Sequence, residues 1–158
     1  MSRMPYRYLE EITSADEAFE ATGKTPEELF TAAADATMNV MVEDIGTIRP
    51  ELRRQVTLRD DRVDMLLFQY LQEIIYFKDA EQLLLRSGGV EIRSGESGAT
   101  GIKSGGHGSQ YLLSGELVGE RLDAARHDLR VDVKAVTLHR FSVEKCGNGW
   151  RAVVVLDV

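Results

Sequence analysis

The chain has 158 residues, one cysteine and a formal net charge of −7. That length fits one domain with a single sizeable core, and 43% hydrophobic with 28% charged residues is an ordinary globular balance. The negative charge argues against non-specific nucleic-acid binding, which depends on Lys and Arg neutralising phosphates, and a lone Cys146 leaves no internal disulfide and no cysteine-built zinc site. An acidic chain that acts on RNA would therefore reach it through a basic protein partner. No apolar run approaches the ~20 residues that span a bilayer, and Met1 to Arg7 lacks an apolar signal region. A cytoplasmic location follows as the expectation.

In chain order, Tyr6 to Glu11 is a short strand candidate, and Asp16 to Thr22 follows with Ala18 and Phe19 as its apolar content and Gly23-Lys24 as a turn. A helix start comes next. Thr25-Pro26-Glu27-Glu28 is a Thr-x-x-Glu capping box with proline at the first helical position. Phe30, Ala33, Ala34, Met38 and Met41 recur at helical spacing, and the helix should end near Asp44 to Gly46. Leu52 to Leu58 is a strand with one exposed face. Asp60-Asp61 reads as a turn before a second helix over about 62–77, whose stripe is Val63, Leu66, Leu67, Tyr70, Leu71, Ile74 and Ile75.

Leu83 to Arg86 and Val90 to Arg93 read as two short strands around Ser87-Gly88-Gly89. Residues 94–109 are rich in Gly and Ser, cannot bury apolar area, and are expected to form a flexible loop. Gln110 to Glu120 returns to strand character, Arg121 to Leu129 is a short helix candidate, and Val133 to Val143 is a strand candidate. Cys146-Gly147-Asn148-Gly149 marks a hairpin turn into a closing strand, Trp150 to Val158. The expected fold is a two-layer α+β sandwich, one domain over 1–158, with a mostly antiparallel or mixed sheet and helices on one face.

The last strand carries the main functional signal. Val153 to Leu156 form an unbroken apolar run, so a segment that usually frays is expected to dock. Docking would fix the Asp157 side chain beside the α-carboxylate of Val158. Two anionic oxygen groups held side by side suit a cation or a basic partner group.

Several segments resemble the archease family. Thr13-Ser14-Ala15-Asp16 with Gly23-Lys24-Thr25 resembles its His-Thr-Ala-Asp-Val and Gly-x-Thr motifs, and Thr25-Pro26-Glu27-Glu28-Leu29-Phe30 fits its helix start. Leu66 to Tyr76 is similar to its Leu-Leu-x-x-Trp-Leu-x-Glu-Leu-Leu-Tyr run. Gly119-Glu120, Arg126-His127, Val133-Lys134-Ala135-Val136-Thr137-Leu138-His139 and the Leu156-Asp157-Val158 ending resemble further motifs in the same order. Departures are Thr13 in place of histidine, Glu17 in place of valine and Leu138 in place of tyrosine; the first two flank the site and bear on metal preference.

The resemblance implies a non-catalytic activator of an RtcB-type RNA ligase, an enzyme that joins a 2′,3′-cyclic or 3′-phosphate end to a 5′-hydroxyl using GTP. It also implies promotion of ligase guanylylation and multiple turnover, in tRNA splicing or RNA repair. The implied metal ligands are Asp16, Asp157 and Val158, and the implied cofactor is a divalent cation, Ca²⁺ with Mg²⁺ or Mn²⁺ as alternatives. Lys134 and His139 are candidate accessory residues: Lys134 as a surface cation that could meet a phosphate or the acids, His139 as a strand histidine that more often packs. His107 reads as a loop residue, and the three histidines lack zinc-ligand spacing.

On chemistry alone, two unit charges at ~4 Å repel by about 4 kcal/mol at an effective dielectric near 20, which a cation removes. A hard cation takes roughly 6–8 oxygens, so three protein groups leave positions for water or a partner. Two other classes compete. A small metal-dependent hydrolase would use the same carboxylates to activate water, but Thr13 removes the histidine that could serve as its base. A chaperone-like modulator of a tRNA methyltransferase or another RNA-modifying enzyme would need an exposed apolar patch.

Overall fold

The computed structural model describes residues 5–10, 16–95 and 110–158. Seven strands and two long helices follow the order β1 (Tyr6–Tyr8), β2 (Asp16–Gly23), α1 (Pro26–Met41), β3 (Leu52–Asp60), α2 (Val63–Glu81), β4 (Leu83–Gly95), β5 (Gln110–Arg121), β6 (Ala135–Cys146) and β7 (Gly149–Asp157). A 3₁₀ turn at Ile45–Thr47 lies between α1 and β3. The strands form two antiparallel sheets, β1-β2-β7-β6 and β3-β5-β4. Both helices pack against strands of both sheets, so the α+β class with a helical layer is as expected, with the sheet divided in two.

Helix α1 starts where its capping residues put it. Thr25 Oγ1 accepts the Glu28 N–H at 3.1 Å, and Pro26 opens the first turn. Ten of its side chains are buried, from Leu29 to Met41, an apolar surface wide enough to serve both sheets. Helix α2 buries Leu66, Leu67, Tyr70, Leu71, Ile74 and Ile75, and Phe30 meets Tyr70 with ring centroids 5.8 Å apart. It runs past the expected end to Glu81 and stops at Gln82, which adopts φ 56° without being glycine. The Gln82 N–H donates to the Lys78 carbonyl, and its own carbonyl accepts from Leu122 at 2.8 Å.

Three sequence-based expectations need correcting. The segments around Gly88-Gly89 are one 13-residue strand, β4, with a register shift between Ser87 and Val90. The glycines make a bulge, not a turn: Gly89 sits at φ +127°, and a Cβ on Gly88 would lie 2.3 Å from Val118 Cγ2. Residues 122–129 form no helix, only a turn at 124–126, in which Asp123 accepts the Arg126 and His127 N–H groups on its carbonyl and the Ala125 N–H on its side chain. Strand β6 begins at Ala135, leaving Val133 and Lys134 in the preceding connection. Of the expected Gly/Ser loop, Ser94 and Gly95 belong to β4, and 96–109 lie outside the described residues.

The connection from β5 to β6 is pinned along its length. At its start, Glu120 is 4% exposed and His127 3%. His127 Nδ1 accepts the Asp123 N–H at 2.9 Å, which places the ring proton on Nε2, where it donates to Glu120 Oε2 at 3.0 Å. The Arg49 N–H donates to the same oxygen at 2.7 Å, and Arg126 ion-pairs with the other. Further along, Leu129 bridges Val42 and the Arg130 N–H donates to Met41. The Lys78 ammonium, 7% exposed on α2, then takes Asp132, Asp79 and the Val133 carbonyl. The Lys134 N–H finally donates to the Asp157 carbonyl at 2.8 Å.

Two outcomes follow from this packing. A Cβ on Gly119 would stand 1.8 Å from the Leu84 carbonyl oxygen in the neighbouring strand. Gly119→Ala is therefore expected to lower unfolding stability by roughly 3 kcal/mol, the upper range for overpacking; a urea midpoint unchanged from the parent would refute the close approach. Burial opposes ionisation of Glu120, but the hydrogen bonds from Arg126, the Arg49 amide and His127 outweigh it and hold the carboxyl at about 2 against an ordinary 4.5. Its folded-state value is depressed, so its stabilisation is present above pH 4.5 and is lost as pH falls through about 2. Glu120→Gln should cost about 2 kcal/mol at neutral pH and shrink toward no cost in that acid window, read from denaturation curves across a pH series.

Candidate functional site

The four-stranded sheet presents two faces with opposite character. Side chains alternate along each strand, and the helix-facing set is Phe19 and Ala21 on β2, Ala152, Val154 and Leu156 on β7, and Val136 on β6. The other face carries Asp16, Ala18 and Glu20 from β2, opposite Asp157, Val155 and Val153 from β7. Arg151 belongs to it as well, with its Nε 2.6 Å from Glu20 Oε2 and its Nη1 3.0 Å from Glu144 Oε1. Arg7 adds a 3.2 Å pair to Glu20. Glu20 is accordingly held below its ordinary value, chiefly by the Arg151 hydrogen bond.

The acid pair lies at the end of this face. Asp16 and Asp157 are direct cross-strand partners. On an antiparallel pair such residues share a face with Cβ atoms about 4.5–5.5 Å apart, so both carboxylates can reach one ion with ~2.3–2.6 Å bonds. Asp157 also pairs with Ala135 of β6 on its other side, and its carbonyl accepts the Lys134 N–H. Val158 is half-buried and packs on the core. Its side chain thus anchors the end of β7 on the helix side while Asp157 points to the opposite face. Glu17 pairs with Leu156 and occupies the helix-side parity, not the face of Asp16.

The donor set is hard oxygen, which fits Ca²⁺, Mg²⁺ or Mn²⁺ and not a soft-ligand metal. Among the described residues, no three His, Cys, Asp or Glu side chains form a metal-binding group. The two aspartates therefore need further oxygens from elsewhere, and the main-chain oxygens of Val158 are the adjacent source. Thr13 and Ser14 lie outside the described residues, as does His107.

Of the five sequence-proposed residues, the structure sets Asp16 opposite Asp157, and Val158 follows Asp157 just past the end of β7. Lys134 joins them through its main chain, with its side chain exposed. His139 does not. It stands in a bulge of β6 where Leu138 to Phe141 face Val154 alone, between the pairs Thr137–Val155 and Ser142–Val153. It is exposed, contrary to the packed histidine expected, while Arg140 beside it takes φ 57°. Among the described residues the buried histidine is His127, tied to Glu120; the Gly119-Glu120 and Arg126-His127 motifs signalled the pair, but nothing in the spacing said they would meet. Exposed apolar side chains are Leu138 (60%), Tyr76 (58%), Val131 (48%) and Leu129 (39%). Among the described residues, no helix is long and apolar enough to cross a membrane.

Residues 6–158 match the archease protein family model. The chain is 34% identical over 155 residues to protein archease of Archaeoglobus fulgidus, covering 98% of this chain and all of that one. It is 30% identical over 153 residues to protein archease of Methanosarcina barkeri, covering 97% and 95%. The solution structure of Methanobacterium thermoautotrophicum protein 1598 superposes with a TM-score of 0.75 at 26% identity, over 99% of this chain and all of that one. A crystal structure of an archease from Thermotoga maritima, described as a possible chaperone, shares the fold with a TM-score of 0.55 at 19% identity, over 95% and 97%. This chain belongs to the archease family, whose members are non-catalytic activators of RtcB-type RNA ligases.

Proposed function

We propose that this chain activates a GTP-dependent RtcB-type RNA ligase in the cytoplasm, promoting guanylylation and repeated turnover through the acidic end of the β2–β7 pair. The observation that carries the reading is the register: Asp16 stands opposite Asp157 on the sheet face away from the helices. Family membership supplies the partner class. The chain's net charge of −7 suits a basic protein surface and not direct RNA binding.

Each residue then has a role its position supports. Asp16 and Asp157 hold a divalent cation, Ca²⁺ or else Mg²⁺ or Mn²⁺, between facing strands. Main-chain oxygens of Val158 complete the protein's share, and the Val158 side chain keeps them in place by packing on the core. A bound cation would supply positive charge for phosphate or carboxylate oxygens of the partner complex. Lys134 fixes Asp157 by its N–H and offers a second, exposed positive charge beside the pair. His139 is close in sequence but sits in the neighbouring bulge, where it serves as a rim contact.

The test is joining of a 3′-phosphate RNA by a cognate ligase in excess of enzyme equivalents, with GTP, with and without this protein. Wild type should raise turnover, and Asp16→Ala or Asp157→Ala should reduce that rise by at least ~10-fold, the scale of losing a metal-site residue. Both variants should remain folded, since the two side chains lie outside the core. Ca²⁺ at ~100 times its dissociation constant should stabilise wild type by about 2.7 kcal/mol and leave Asp157→Ala unmoved. Full stimulation by both alanine variants would sink the site, and no stimulation by folded wild type would sink the activator reading.

A further inference from the structure

Thr137 carries the one buried side-chain polar atom among the described residues that lacks a hydrogen-bond partner, its Oγ1. Its place in the sheet is specific. Ala135 pairs with Asp157 and Thr137 pairs with Val155, so Thr137 lies on the same face as the acid pair, one row further in. That row reads Ala18, Val155, Thr137 across β2, β7 and β6, and the next reads Asp16, Asp157, Ala135. Diagonal neighbours on such a face are about 7–8 Å apart at Cα and closer at the side chains. The hydroxyl therefore lies one row from the Asp157 carboxylate without hydrogen-bonding to it. At the other corners of that diagonal, Ala135 is small and Val155 packs alongside.

A buried hydroxyl without a partner is a cost that valine, of the same shape and strand preference, would avoid. Strand propensity therefore accounts for a β-branched residue at 137 but not for its oxygen. The register shift begins immediately after Thr137, so the neighbouring ladder offers the hydroxyl no regular partner. We propose that Thr137 Oγ1 is a further oxygen of the acidic site, contributing to the shell of the cation held by Asp16 and Asp157, either as a ligand or by holding one of the cation's waters. This rests on the cation reading given above and adds a residue to it. Threonine oxygen is a hard donor, in keeping with the carboxylates beside it.

Thr137→Val removes the oxygen and keeps the shape, while Thr137→Ser keeps the oxygen and removes the methyl group. The measurement is calorimetric titration of CaCl₂ into each purified protein, paired with thermal unfolding in the absence of divalent ions. Thr137→Val should bind Ca²⁺ about 10-fold more weakly, as for residues supporting a metal shell, yet melt at or above the wild-type temperature without the ion. Thr137→Ser should keep most of the affinity even where it melts lower. A purely structural threonine gives the opposite pattern: Thr137→Val binds as wild type, and any change is confined to melting. That result overturns the proposal while leaving the aspartate site standing. Wild type that takes up no Ca²⁺, Mg²⁺ or Mn²⁺ overturns both.

Discussion

Strand β7 lies between β2 and β6, and its register against both decides where every oxygen of the acidic end is placed. Side chains alternate with a period of two, so a slip of one residue would carry Asp157 to the helix side and Leu156 into the open. The core resists this strongly, because Ala152, Val154 and Leu156 are all fully enclosed on one side. The far end of the strand fixes the same register by sterics. Gly147 holds φ +56° at the first central position of the β6–β7 turn, the place where two-residue hairpin loops need a positive φ. Gly149 sits so close to β2 that a Cβ would lie 2.8 Å from the Gly23 carbonyl oxygen. The acids are thus placed by contacts a whole strand away.

Burial of charge is concentrated on the route that leads to this end. Lys78 and Glu120 are long-chain ions that rarely sit inside a protein unless fully paired, and here both hold the connection between β5 and β6. Glu120 gathers its first turn through His127, Arg126 and the Arg49 amide. Lys78 gathers its end, one residue before the N–H that meets Asp157. A segment without regular secondary structure is normally the loosest part of a fold. Pinned this way, it presents Lys134 at a defined place beside the acids.

Much of this was legible in the sequence. The capping box at Thr25, the stripe of α2, the alternation of β3 and the hairpin at Cys146 to Gly149 all appear where local physics puts them, because each depends on neighbours in the chain. What escaped was decided by distant contacts. Ser87-Gly88-Gly89 reads as a break between two short strands, and only the presence of β5 alongside makes it a bulge in one. The 122–129 segment has some helical composition, but Glu120 draws His127 inward and Asp123 spends its acceptors on one tight turn. For the site, the pairing of Asp16 with Asp157 came from family likeness, since no local pattern links residues at opposite ends of a chain. Nothing in the spacing marked Thr137 or separated it from the bulge that carries His139 away.

The surroundings of the acid pair decide its use as much as the acids do. On the helix-side face, two carboxylates would meet Phe19, Val154 and Leu156 and would have to be neutralised or paired. On the opposite face their neighbours are Ala18, Val155, Ala135 and Thr137. Arg7 and Arg151 neutralise Glu20 on the same face, further from the strand end. The register of three hydrogen-bonded strands, β2, β7 and β6, keeps both acids on this face and off the core.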